Sequence, residues 1–283
     1  MEHECCTAEA TAIAQAAKNC GGKVIVQVEK VVTDVDPKLV KVPGIYVDAV
    51  VVTENKENHT QCVGCEYDGS MTGEFRVPLG SLEAPSLSPK KIIGRRAAME
   101  LRPDTVVNLG IGIPEYISMV ANEEGIGDHF TLTVEAGPVG GVPQGGPQFG
   151  GAVNAQAILD QPAQFDFYDG GGVDDAFLGL AQADKDGNIN VSKFGPRIAG
   201  CGGFVNITQN AKRVYYCGTF TAGGLKCSTK DGKLIIDQEG KSDKFIDTVE
   251  QITSLVNMPI KLASQLCISQ NVLSLNFEKM AFI

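Results

Sequence analysis

Short runs of apolar residues, many of them β-branched, recur along the chain and predict a series of β-strands. Lys23–Val32 (KVIVQVEKVV) and Ile45–Thr53 (IYVDAVVVT) are rich in valine, which favours strands. Thr105–Leu109 (TVVNL) and Phe130–Val134 (FTLTV) have the length of short buried strands. Further strands are predicted at Glu74–Val77, Phe165–Tyr168, Ile189–Ser192, Phe204–Thr208, Arg213–Cys217, Leu225–Thr229 and Lys233–Ile236, and a buried strand or helix at Asp175–Ala183.

Helical patterns lie between these runs. Thr7–Asn19 is rich in alanine and is followed by two glycines, which end helices well. Lys90–Leu101 has an amphipathic spacing, and Pro114–Asn122 starts with proline, a residue favoured in the first helical turn. Val153–Leu159 is predicted as a short helix.

The order of these elements predicts the fold class. Between residues 105 and 134, a strand, a glycine turn, a helix and a second strand follow one another, which is a βαβ unit. We therefore expect an α/β protein with an open, largely parallel sheet and flanking helices. Glu54–Pro89 is polar and rich in turn residues, and predicts an irregular connection that covers or crosses a domain boundary.

Composition and charge exclude several classes of protein. The 283 residues are 43% hydrophobic and 20% charged, as in globular proteins, and the net charge of -10 argues against nucleic-acid binding. No apolar run reaches the 18 residues of a membrane span, and the MEHECC terminus is unlike a signal peptide. Nine irregularly spaced cysteines favour reduced thiols in a cytoplasmic protein. Cys62 and Cys65 have no second pair at zinc spacing, so no metal site is predicted.

The glycine turn after the Thr105 strand is the first candidate binding site. Its residues are Gly110, Ile111, Gly112, Ile113 and Pro114, and a helix follows directly. Glycines allow a phosphate close to the backbone, and a helix N-terminus attracts anions. A plain tight βα turn is an equally good interpretation. An NAD-binding oxidoreductase is a weaker alternative, because a glutamate stands where the third glycine of G-x-G-x-x-G belongs.

Glu135 is the candidate catalytic residue. It directly follows the Phe130 strand and precedes a loop crowded with glycine and proline. Ligands of open α/β sheets bind beyond the carboxyl ends of the strands, so Glu135 and the glycine turn are expected to face one crevice. A carboxylate there is suited to act as a general base or a nucleophile, whereas the alternative is a solvated acid at a strand end.

Four motifs carry a family resemblance across most of the chain. They are VVNLGIGIPE (Val106–Glu115), TVEAGPVGG (Thr133–Gly141), GGGVDDAFLGLAQADKDGNINVSKFG (Gly170–Gly195), and GCGGFVNI with CGTFTAGG (Gly200–Ile207, Cys217–Gly224). Together they resemble the acetate/propionate CoA-transferases of family I, the glutamate-nucleophile class.

The resemblance implies a reaction and its residues. The family's glutamate falls on Glu135, which would form a mixed anhydride with an acyl group and then a glutamyl-CoA thioester. Gly110–Pro114 would contact CoA, and Gly202 and Gly203 would supply backbone to CoA and the oxyanion. Coenzyme A would be a substrate and covalent intermediate; no permanently bound cofactor and no metal are implied. The partners would be an acyl-CoA and a short-chain carboxylate.

The resemblance also implies a domain organisation. Single-chain members contain two similar α/β halves. Residues 1–89 are expected to be the tail of the first half with an irregular linker, and residues 90–283 the second half with the nucleophile. A homo-oligomer, or a partner chain supplying the missing half, is therefore expected. The alternative is a truncated, inactive CoA-binding or partner-dependent subunit. The sequence leaves open which acids are exchanged.

Overall fold

A computed structural model describes residues 9–78, 83–231 and 233–255. The chain divides into two compact units, and it passes between them three times. Of the described residues, the first unit contains 9–78 and 132–166, and the second contains 83–131, 167–231 and 233–255. The predicted division at residue 89 refers to the halves of related enzymes and stays a prediction.

Single helices separate groups of strands along the described chain. The helices are α1 (Ala10–Asn19), α2 (Pro89–Ala98), α3 (Glu115–Glu123), α4 (Gln161–Asp169) and α5 (Phe204–Asn210). The strands are β1 (Ile25–Val28), β2 (Ala49–Val52), β3 (Val106–Leu109), β4 (Thr131–Thr133), β5 (Pro138–Val139), β6 (Val142–Pro143), β7 (Ala152–Val153), β8 (Ala157–Ile158), β9 (Asp175–Leu178), β10 (Gln182–Asp184), β11 (Ile189–Asn190), β12 (Lys193–Phe194), β13 (Arg197–Ile198), β14 (Arg213–Tyr216), β15 (Thr221–Ala222), β16 (Lys226–Lys230), β17 (Lys233–Gln238), β18 (Ser242–Asp243) and β19 (Phe245–Ile246). The predicted helix at residues 7–19 forms from residue 10, and residues 7 and 8 lie outside the described residues.

The first unit begins with helix α1 and a parallel pair of strands. Strands β1 and β2 pair in parallel from Ile25 opposite Ala49. Asp48 fixes the start of this pair, since its carboxylate accepts hydrogen bonds from the Val24 amide and the Lys18 ammonium, both at 2.9 Å. These bonds hold the pKa of Asp48 well below its usual range. The predicted strands are thus confirmed in shorter form.

The connection predicted to be irregular is irregular in its described part. A short 3-10 turn covers Lys56–Asn58, and the strand predicted at Glu74–Val77 is absent. The reason is that Val77 pairs with a side chain instead of a strand. Its amide donates to Asn154 Oδ1 at 3.0 Å, and its carbonyl accepts from Asn154 Nδ2 at 2.8 Å.

The remainder of the first unit is a set of short antiparallel strands. Strand β5 pairs with β4 through Thr133 and Val139, and with β8 on its other side. The helix predicted at Val153–Leu159 is wrong, because this segment contributes β7 and β8 to two different pairs. The left-handed backbone of Asn154, with φ of 60°, separates these two strands.

The second unit is built around parallel strands. Strands β14, β9 and β3 lie side by side in this order, and both pairings are parallel. Helices α2 and α3 pack on each other, and α5 packs on β9. Apolar faces close the core of the unit, with Phe177, Tyr215 and Tyr216 almost fully buried. The predicted α/β class, with parallel strands and flanking helices, is confirmed.

Two aromatic segments that were predicted as strands are helical. Phe165–Tyr168 lies in α4, and Phe204–Thr208 lies in α5. Aromatic and β-branched residues favour strands locally, but tertiary packing decides such short segments. Pro162 in the first turn of α4 was the helix signal in the sequence. The predicted hairpins β10–β11 and β16–β17 are confirmed.

Candidate functional site

Glu135 lies at the tip of a tight turn between β4 and β5. The turn is closed by two backbone hydrogen bonds. Gly137 N donates to Val134 O at 3.0 Å, and Val134 N donates to Pro138 O at 2.9 Å. Glu135 itself is half-buried, whereas Val134 is buried beside it. The predicted place of the carboxylate, just beyond the end of a buried strand, is therefore the observed one.

A buried amide of helix α4 ties the base of this turn. Gln164 has no exposed surface, and its Nε2 donates to Val134 O at 3.1 Å and lies 3.4 Å from Pro138 O. Sequence reasoning missed Gln164, because the segment that follows it was predicted as a strand. The available signal was a lone amide within a mostly apolar stretch that starts with Pro162.

The glycine turn Gly110–Pro114 lies at the carboxyl end of β3 in the second unit. Gly110 N donates to Phe177 O at 2.8 Å, and a Cβ on Gly110 would come within 3.1 Å of Leu178. The close approach of β3 and β9 therefore explains Gly110. Gly112 has a φ of +91°, no atom of the described residues lies within 4 Å of a Cβ added to it, and Ile111 is 64% exposed. This part of the turn is open.

Ile113 and Pro114 lead from the turn into helix α3. Pro114 is the residue before the helix, and Tyr116 N donates to Ile113 O at 3.1 Å. Glu115 stands in the first turn of the helix, and its buried Oε1 has no hydrogen-bond partner among residues 9–78, 83–231 and 233–255. The negative charge of this carboxylate already interacts with the positive end of the helix dipole, to which an incoming phosphate would otherwise bind. The turn is thus better suited to backbone contacts than to a phosphate on the helix axis.

Gly202 and Gly203 lie immediately before helix α5, also in the second unit. Gly202 has a φ of +52°, a Cβ added to it would meet nothing within 4 Å in the described part of the chain, and Gly203 precedes the first helical residue. Phe204 at the start of α5 stacks on Tyr216 at the end of β14, with ring centroids 6.2 Å apart. The start of α5 therefore lies at the carboxyl ends of the parallel strands.

The second unit thus brings the two predicted CoA-contacting segments to one edge of its strands. Gly110–Pro114 follows the last residue of β3, and Gly202 and Gly203 lie beside the last residue of β14. The carboxyl edge of parallel strands is where ligands of α/β proteins bind. Glu135 belongs to the first unit.

The opposite, amino ends of the same strands carry an ion-pair cluster. Arg213 holds the fully buried carboxylate of Asp175 through Nε at 2.6 Å and a second nitrogen at 2.7 Å, and Arg102 adds contacts at 3.2 Å. Burial raises the pKa of Asp175 to about 6, while the Arg102 guanidinium opposes that rise. Asp175 and Arg213 are the first residues of β9 and β14, so their ion pair joins the starts of these two strands.

Two further findings concern the described residues only. Within them, no group of three or more histidine, cysteine or acidic side chains is arranged to hold a metal ion. No helix in the same part of the chain has the length and apolar character needed to span a membrane.

Comparison with known proteins gives a family. The chain is 47% identical over 254 residues to the caffeate CoA-transferase of Acetobacterium woodii. It is 44% identical over 256 residues to the acetate CoA-transferase YdiF of Escherichia coli K12. These alignments cover 87% and 89% of the chain, and 48% of each relative. The chain therefore spans about half the length of the curated relatives it matches. No protein-family model matches the sequence.

A solved structure agrees with the sequence comparison. The acyl-CoA transferase YdiF of Escherichia coli O157:H7, in its thioester complex with CoA, superposes with a TM-score of 0.77 at 42% identity. The match covers 90% of this chain and 47% of that chain. Identity of 42–47% and a shared fold across nearly the whole described chain lead to one conclusion: this chain is similar to about half of a CoA-transferase.

Proposed function

We propose that this chain carries the nucleophile of a CoA-transferase, which moves CoA between an acyl-CoA and a short-chain carboxylate. The observation that carries the proposal is the carboxylate of Glu135 at the tip of a hydrogen-bonded turn. Such a turn presents a carboxylate while the buried strand behind it fixes its position. A relative at 42% identity has been solved as a thioester complex with CoA, which supports a covalent route.

The proposed reaction requires one nucleophilic carboxylate from the protein. Glu135 attacks the thioester carbonyl of the acyl-CoA. The C–S bond breaks, CoA leaves as a thiolate, and the acyl group stays on Glu135 as a mixed anhydride. The thiolate then attacks the glutamyl carbonyl and releases the donor carboxylate, leaving a Glu135–CoA thioester. An acceptor carboxylate reverses these steps. Two carboxylates and one thiolate exchange places, so no net proton or electron is required.

The glycine segments are proposed to bind the CoA carrier. Gly110, Ile111, Gly112, Ile113 and Pro114 offer an open backbone, and Gly202 and Gly203 offer amides before α5. Their shared place at the carboxyl edge of parallel strands supports this assignment. Backbone donors of this kind can also stabilise a tetrahedral oxyanion.

The substrate class is proposed as short-chain acids. Relatives at 44–47% identity are named as acetate and caffeate CoA-transferases, so the acyl group varies among close relatives. Since one methylene is worth only about 1–3 kcal/mol in a pocket, activity should be compared across acetate, propionate, butyrate and caffeate.

A variant of Glu135 tests the activity. Purified protein is incubated with acetyl-CoA and propionate, and propionyl-CoA is measured by chromatography. We expect Glu135→Ala to lower the rate at least about 10³-fold, because no other group replaces the nucleophile. Glu124→Ala, at an exposed ion pair with Arg95, is the control and should keep the parent rate. Equal rates for Glu135→Ala and the parent would refute the role of Glu135.

A second candidate is a partner-dependent subunit that binds CoA without turnover by itself. It is favoured by the exposed β1–β2 pair, since Val50, Val51 and Val52 are each about half exposed and apolar. We propose that a second copy, or a chain supplying the other half, covers this surface. The nine irregularly spaced cysteines favour the reducing cytoplasm as the place of action.

A further inference from the structure

We propose that Gln164 is a positioning residue that holds the turn of Glu135 in its reactive geometry. The inference rests on the proposed role of Glu135 as nucleophile. Gln164 lies on α4, outside every motif that identifies the family, and its side chain does not lie in the glycine turns. Its contacts nevertheless converge on the backbone that carries Glu135.

The amide of Gln164 reaches both sides of the turn at its base. Nε2 donates to Val134 O at 3.1 Å and lies 3.4 Å from Pro138 O, so its two hydrogens face two carbonyls. Those carbonyls also accept the two backbone bonds that close the turn, from Gly137 N and Val134 N. One side chain therefore links the two carbonyls at which the turn closes. Glu135 lies between these points of attachment.

Burial makes this contact specific. Gln164 is completely buried, and a buried amide is costly unless its donors are satisfied. A leucine or methionine would fill the same space without that cost, so a role in packing alone does not require an amide. The amide is explained by its two carbonyl partners.

Position matters strongly for this chemistry. Glu135 must approach a thioester carbonyl and later present its own carbonyl to the thiolate. A displacement of about 1 Å in such a group can lower a rate about 100-fold. Loss of the Gln164 bonds removes the side-chain support at the base of the turn and lets its tip move. The predicted effect is therefore on the rate of thioester formation, and not on the binding of CoA.

The variants Gln164→Met and Gln164→Asn distinguish the effect of the amide group from the effect of side-chain volume. Methionine matches the length of glutamine without donors, and asparagine keeps the amide but is one methylene too short to reach. We expect both to form the Glu135–CoA adduct about 10- to 100-fold more slowly in single-turnover mass spectrometry. The KM for acetyl-CoA should stay within about twofold of the parent value.

Asn154→Gly is the matched control. Asn154 is another buried amide of the first unit that bonds both backbone groups of one residue, Val77. Glycine suits its φ of 60°, so the variant loses two comparable bonds without new strain. We expect a similar fall in thermal stability but an adduct rate within about twofold of the parent. An equal loss of rate in Asn154→Gly and Gln164→Met would assign Gln164 a general structural role and overturn the inference.

Hydrogen exchange distinguishes failure of the inference from failure of the proposed function. The amides of Val134 and Gly137 should exchange at least about tenfold faster in Gln164→Met than in the parent or in Asn154→Gly. Unchanged exchange at both amides would overturn the positioning role. If the parent forms no adduct, the function proposed for Glu135 fails, and a catalytic role for Gln164 fails with it. The exchange result then reports only whether Gln164 holds the turn.

Discussion

At the scale of single residues, the site depends on where the backbone places a few side chains. Glu135 was predictable, because an acid that directly follows an apolar strand and precedes a glycine loop lies at the edge of a sheet. The contact of Gln164 was not predictable, because it forms only when the fold brings α4 against a turn about thirty residues earlier in the chain. Local pattern carries no information on such a contact. The prediction at this scale therefore concerns cysteines whose exposure is set by the fold.

Cys201 reports on binding at the neighbouring glycines. Cys201 is exposed and directly precedes Gly202, whereas Cys217 is buried, and burial raises its pKa to about 12. Because the thiolate is the reactive form, iodoacetamide at pH 8 should modify Cys201 and leave Cys217 intact in the native protein. At a CoA concentration ten times Kd, modification of Cys201 should slow about tenfold. Peptide mass spectrometry measures both sites.

The reference for this experiment is another exposed thiol. Cys20 lies at the end of α1 in the first unit and should react at the same rate with and without CoA. If CoA binds, as shown by calorimetry, and Cys201 still reacts at an unchanged rate, the assignment of Gly202 and Gly203 to the CoA site is refuted.

At the scale of elements, prediction succeeded where several local signals agree along the sequence. The strand–turn–helix series through β3 and α3 was read correctly, because apolar runs, glycines and a proline agree there. The helix α4 and the strands β7 and β8 were misread. The contacts that define these segments lie elsewhere in the chain: Gln164 of α4 bonds Val134, and Asn154, between β7 and β8, bonds Val77. Tertiary contacts, and not propensity, decide these elements.

The start of strand β14 gives a stability prediction. Arg213 pairs with fully buried Asp175, whereas the adjacent Lys212 is 66% exposed and pairs with Asp174. Arg213→Ala should lower the free energy of unfolding by about 3–5 kcal/mol, because it leaves a buried carboxylate without its main partner. Lys212→Ala, the matched control, should cost about 0–1 kcal/mol. Urea unfolding at pH 8 measures both values.

The same pair of variants has a predictable dependence on pH. Burial already raises the pKa of Asp175 to about 6, and loss of Arg213 raises it further. A folded-state pKa above the unfolded value favours the folded state at acid pH, and this contribution is lost as the pH rises through the folded pKa. The cost of Arg213→Ala should therefore be smaller at pH 5 than at pH 8. An equal cost at both pH values would contradict this account.

At the scale of the whole molecule, the chain shares its fold with about half of a longer enzyme. The sequence motifs predicted the likeness to CoA-transferases correctly, because four separated glycine-rich segments occur in the order typical of those enzymes. They could not predict what covers the exposed apolar strands, since a surface pattern does not name its partner. The parallel pair β1–β2 is the clearest such surface, because two-stranded parallel sheets are normally covered by other elements.

A charge on this surface tests the proposed association. Light scattering after size exclusion should give the native chain a mass that is a multiple of 29.9 kDa, or a complex with a co-purified partner. Val51→Lys should reduce this mass toward 29.9 kDa, because a buried lysine weakens an apolar interface. Ile198→Lys, at a residue that is 79% exposed in the second unit, should leave the mass unchanged. A native chain of 29.9 kDa would contradict the proposed association.

The most direct test of the account is the mass of the protein after incubation with acetyl-CoA. We predict an adduct equal in mass to CoA less one water, localised to Glu135 by peptide mapping, lost on borohydride reduction and absent in Glu135→Ala. Such an adduct requires a working nucleophile in this chain. A folded chain that binds CoA and forms no adduct, alone or with its partner, would contradict the proposed transferase and leave the CoA-binding subunit.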